Sequence, residues 1–78
     1  MRSLAQLSIN PQGVAFNAAT GHSYMLNPSG AFILKALQGG SEPPNVVSMM
    51  SERYALLTDD AERDVTDFVG RLRTLGLM

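Results

Sequence analysis

The fold turns on His22-Ser23-Tyr24-Met25-Leu26-Asn27-Pro28-Ser29-Gly30-Ala31, the stretch HSYMLNPSGA. Its first half reads as a strand, because Tyr24 and Leu26 alternate with Ser23 and Met25. Its second half reads as a helix start. Asn27 is a good N-cap, and Pro28 sits at the first helical position, where an N–H would lack a partner in any case. A strand therefore passes into a helix with almost no loop between them.

Upstream of this junction the pattern stays β. Leu7 and Ile9 share one parity in LSIN, with Ser8 and Asn10 on the other. The turn NPQG follows, with Pro11 at a favoured turn position and Gly13 closing it. Val14 and Phe16 then alternate with Ala15 and Asn17, and NAATG ends in Gly21, which tolerates positive φ. Short runs joined by tight turns predict a three-stranded antiparallel meander.

Downstream the period changes to that of helices. Ile33, Leu34 and Leu37 line one side of the first, which Gly39-Gly40 stops. Ser41 is the expected cap of the second, whose Pro43 and Pro44 are tolerable only in the first turn. Val47, Met50 and Tyr54 are expected to share its inner face. Thr58 is the expected cap of the third, with Asp59 and Asp60 at its positive end and Arg71 and Arg73 at its negative end. Ala61, Val65, Phe68, Val69, Leu72 and Leu75 make the strongest apolar stripe in the chain. The fold class is α+β, a meander followed by three helices, winged helix-turn-helix-like. Residues 1–78 read as a single domain. Phe16, Leu26, Ile33, Leu37, Val65, Phe68 and Leu72 are the expected core.

Composition narrows the function classes. The chain has 78 residues, 45% hydrophobic and 17% charged, with a net charge of −1. That balance suits a globular domain and supplies no electrostatic reason to seek nucleic acid or anionic lipid. The chain contains no cysteine, so neither disulfides nor thiolate metal sites hold it, which agrees with a cytoplasmic protein. MRSLAQLSIN lacks the apolar run of a signal peptide, and no apolar stretch is long enough to span a bilayer.

No constellation of residues reads as catalytic. His22 has no second ligand at metal-site spacing and reads as an ordinary strand histidine. Five of the seven acidic residues lie between Asp59 and Asp67. Without a partner base, nucleophile or oxyanion donor, they read as a solvated helix face matched to the helix dipole. The glycines follow turn logic and form no phosphate-binding pattern. Met49-Met50 suits an adaptable surface, although Met50 falls on the Val47 face and reads as core. In a winged-helix reading the third helix would enter a DNA groove, but its acidic start would meet phosphates and weaken the term that dominates DNA affinity.

The ordered series TGHSYMLNPSGAFILKALQGG, VVSMMSERY and DVTDFVGRLRTLGLM resembles the PqqD family, the small proteins of coenzyme PQQ synthesis and the related recognition elements of peptide-modification pathways. The resemblance runs from about Leu7 to Met78. SEPPNVVSMM departs from it, with two prolines where relatives more often have a plain capped helix start. The resemblance implies a non-enzymatic protein, and no cofactor or metal is expected. Such a protein binds the leader of a ribosomally made precursor peptide and presents it to a modifying enzyme, often a radical-SAM protein. It also implies that the leader adds beside the third strand, here His22, Ser23, Tyr24, Met25 and Leu26, and lies against the third helix, here Asp64, Phe68 and Arg71. The physics of a sheet edge is compatible: the last strand of a meander has unpaired N–H and C=O groups that can template another strand. Two other readings compete with this one: a winged-helix nucleic-acid-binding protein, and a small subunit that docks on an enzyme without holding a peptide.

Overall fold

The computed structural model describes Leu4 and residues 6–77. Residues 1–3, Ala5 and Met78, hence the extreme ends of the resembling and N-terminal stretches, lie outside them. Strands β1 (Leu7–Ile9), β2 (Val14–Asn17) and β3 (Ser23–Met25) precede helices α1 (Pro28–Gln38), α2 (Pro43–Tyr54) and α3 (Thr58–Thr74). The sheet is antiparallel in the order β1-β2-β3. None of the helices is long and apolar enough to cross a membrane, among the described residues.

Two asparagines shape the hairpins. Asn10 Oδ1 accepts from the N–H groups of Gln12 (3.0 Å) and Val14 (2.9 Å), which folds the first turn. Gly13 follows at φ +85°, and a Cβ there would lie 2.8 Å from the Leu26 carbonyl oxygen. Only glycine lets the end of β3 approach so closely, and the Leu26 N–H uses the space to donate to the Gly13 carbonyl at 2.8 Å. At the second turn, buried Asn17 accepts from the Ala19 N–H through Oδ1 (2.9 Å) and from the Gly21 N–H through its carbonyl (2.7 Å).

The cross-strand register decides which face of the sheet is buried. Leu7 pairs with Asn17, Ile9 with Ala15, and Ala15 with Tyr24. These residues face the helices. Phe16 belongs to the opposite face with Ser8 and Ser23 and is 44% exposed, so it is not a core residue. The alternation in β2 was correctly periodic but inverted in sense. Ala15, 1% exposed, is the β2 residue that joins the core instead. Leu26 and Phe68 are half-buried against the core, while Ile33, Leu37, Val65 and Leu72 are fully part of it.

The helix ends hold one expectation and correct two. Asn27 caps α1, its Oδ1 accepting from the Gly30 N–H at 2.7 Å. Glu42, not Ser41, is the N-cap of α2, and it makes no side-chain capping bond. Pro43 and Pro44 remove two of the donors a capping side chain would satisfy, and the Glu42 carbonyl takes the next two, from Asn45 (2.9 Å) and Val46 (3.0 Å). Thr58 lies inside α3, whose N-cap is Leu57.

The inner stripe of α2 is Val46 and Met50, both fully buried, with Val47 only half-buried. Tyr54 sits at the rim. Its ring meets Phe32 edge-on at 5.8 Å, and the Arg53 guanidinium lies 5.8 Å above it. Met50 thus holds its expected inner position, while Val46 takes the place expected for Val47, because the inward direction is set by α1 and α3 together.

Candidate peptide-binding groove

Strand β3 has a neighbour on one side only. The Asn17 N–H donates to the His22 carbonyl (2.8 Å), and the Leu26 N–H donates to Gly13 (2.8 Å). In an antiparallel ladder such bonds recur at every second residue. The polar backbone groups of His22, Tyr24 and Leu26 therefore face β2. Those of Ser23 and Met25 face away from it, and no hydrogen bond among the described residues reaches them.

Alongside this edge the surface is hollowed between β3 and α3. One hollow of about 540 Å³ is lined by Met25, Leu26, Asn27, Ser29, Gly30, Ile33, Asp64, Asp67, Phe68 and Arg71. A second, of about 340 Å³, runs under Ser23, Tyr24, Met25 and Leu26 to Phe68, Arg71, Leu72, Leu75 and Leu77. They share Met25, Leu26, Phe68 and Arg71, so together they follow the strand edge. Phe68 is the common wall. Its ring lies against the first turn of α1, where a Cβ on Gly30 would come within 3.2 Å of Phe68 Cε1. The glycine lets α1 and α3 close over one end of the groove.

Seven of the eight residues singled out from the sequence line these hollows: Ser23, Tyr24, Met25, Leu26, Asp64, Phe68 and Arg71. His22 lines neither hollow; it is exposed, with its ring edge-on to Tyr24 at 6.5 Å. Asn27, Ser29, Gly30, Asp67, Leu75 and Leu77 were missed. Asp67 was within reach of sequence reasoning, because it stands three residues from Asp64 and four from Arg71, on one helix face. Leu77 was not, because it enters the core only through the turn at Gly76 (φ +74°), where its N–H donates to the Leu72 carbonyl at 2.8 Å. The groove has an acidic end at Asp64 and Asp67 and a basic side at Arg71. No group of three or more His, Cys, Asp or Glu side chains is placed to hold a metal ion, among the described residues.

A family model described as coenzyme PQQ synthesis protein D (PqqD) matches residues 12–78. The chain belongs to the PqqD family. Its fold has three antiparallel strands followed by three helices, as in a solved structure of lasso peptide synthetase B1 complexed with the leader peptide. The two are 28% identical with a TM-score of 0.76, and the match covers 90% of this PqqD-family chain and 84% of that one. No curated protein matches the chain.

Proposed function

We propose that this PqqD-family chain is a single-domain, non-catalytic, cytoplasmic peptide-binding module. It binds the leader of a ribosomally made precursor peptide as an added strand on β3 and presents it to a modifying enzyme. The observation that carries this reading is the open β3 edge running beside an apolar groove. The likeness to a leader-bound lasso peptide synthetase B1 supports it. The acidic half of α3 speaks against the nucleic-acid alternative, because it would repel the phosphates that supply most DNA affinity.

Magnitudes decide where the affinity comes from. Ser23 and Met25 offer two N–H and two C=O groups, each worth about 0.5–1.5 kcal/mol net once paired. Their sum falls short of the roughly −8 kcal/mol of a micromolar complex, even before the cost of immobilising the peptide. Apolar contacts in the groove beside Phe68, Leu26 and Leu72 must supply the remainder, at about 25 cal/mol per Å² buried. The backbone thus sets direction and register, and the groove sets strength and selectivity.

Amide hydrogen exchange tests the reading. Adding the leader of its precursor peptide should slow exchange at the Ser23 and Met25 amides. Unchanged exchange at both under saturating leader would exclude strand addition.

A further inference from the structure

The register places Val14, Phe16 and Met25 together on the sheet face turned away from the helices. Phe16 is 44% exposed and Met25 is 85% exposed. Met25 stands directly opposite Val14 in a non-hydrogen-bonded pair, where side chains lie closest. Phe16 is the diagonal neighbour of Met25, at roughly 7–8 Å, within reach of long side chains. Its own partner on β3 is Ser23, which is too small to cover it. The core lies on the other face, so the fold does not require this patch. Open edges are ordinarily protected by charged residues, yet Ser23, Tyr24 and Met25 include none.

We propose that the patch is covered by the same strand that adds to β3, so that the peptide recognised carries an unbroken apolar triplet rather than an alternating pattern. This rests on the strand-addition reading. A residue across from Tyr24 points inward, to the hollow lined by Leu26, Phe68 and Leu72. Its two neighbours lie across from Ser23 and Met25 and point outward. One meets the Met25 side chain, and the other reaches past Ser23 toward Phe16. The patch is continuous with the edge on which the strand would sit, which selects this occupant. A second copy of the chain would have only the three residues of β3 to pair through, whereas a stable dimer needs about 1,000 Å². Methionine suits the outer position because its flexible thioether adapts to varied apolar partners.

The test uses labelled, extended host peptides that differ only in a central triplet: Val-Leu-Val, Thr-Leu-Thr and Val-Thr-Val. The wild-type protein should bind the first roughly tenfold more tightly than either of the others. Met25→Thr should cut the advantage over Thr-Leu-Thr to the part that Phe16 supplies, about threefold, and keep the advantage over Val-Thr-Val. A thermal melt would verify that this variant folds. Equal binding of Val-Leu-Val and Thr-Leu-Thr by wild type, with amide shifts at Ser23 and Met25 for both, overturns the outer-face proposal and leaves strand addition standing. A lack of response at those amides to any probe overturns both. A dimer that sediments as such and is lost in Met25→Thr assigns the patch to a second copy and also overturns the proposal.

Discussion

The two edges of the sheet are built from strands of the same length, yet they are finished differently. At β1, the carbonyl of Leu7 points away from β2 and is taken by Gln38 Nε2 from the end of α1 at 2.8 Å. The same amide group donates to the Leu4 carbonyl at 2.8 Å, and Leu4 is among the most deeply buried side chains. At β3, the outward groups of Ser23 and Met25 meet no such side chain among the described residues. The chain passes at once into the Asn27 cap, so the edge is kept short, and a groove takes the place of a cover. One edge has an outward carbonyl tied to the end of a helix, and the other offers its outward groups where a partner can complete them.

The contrast predicts that changes at β1 act on stability and changes at β3 act on binding. The largest expected effect is at Leu7, 6% exposed, where Leu7→Ala should cost about 2–5 kcal/mol in urea unfolding. Met25→Ala should stay within about 0.5 kcal/mol of wild type in the same assay. Equal losses at the two positions would erase the distinction between the edges.

Gln38→Ala should cost about 1–2 kcal/mol, because it leaves the Leu4 and Leu7 carbonyls without their donor. Leader affinity should not change with it. A variant that folds as stably as wild type would mean that this side chain does not secure β1.

Ser23→Pro sharpens the comparison from the other side. The N–H it removes faces away from β2, and proline is tolerated at the first residue of an edge strand. Stability should move by less than about 1 kcal/mol, while leader affinity in fluorescence anisotropy should fall roughly tenfold. Unchanged affinity in a folded variant would remove Ser23 from the pairing.

The smallest effect is expected at exposed Arg71, where Arg71→Ala should weaken an acidic-residue-containing leader by about two- to fivefold. That loss should shrink as salt is added. A salt-independent loss would point to packing by the arginine stem instead.

Local chemistry made most of the fold legible in the sequence. Asn27-Pro28, Gly39-Gly40 and the stripe from Ala61 to Leu72 act through local sequence, and the structure keeps them, whereas Leu75, expected to continue that stripe, lies past the last turn of α3 and is 51% exposed. Phe16 was misplaced because the alternation in VAFN shows that two faces exist, not which one is inward. That direction depends on pairing with Ile9 and Tyr24, which is non-local. The same limit moved the inner face of α2 from Val47 to Val46, and the prolines at 43 and 44 made the expected Ser41 cap unnecessary. For the groove, the strand and helix residues were identified through the family resemblance. Gly30 and Leu77 escaped because their importance lies in contacts made across the fold, against Phe68 and Leu72.

The most direct test of the central claim is an NMR titration of the isotope-labelled chain with its leader peptide. The amide signals of Ser23 and Met25 should shift most, accompanied by those along α3 around Asp64, Phe68 and Arg71, with α2 little affected. Shifts concentrated on α2 around Met49, with β3 silent, would contradict strand addition at the open edge.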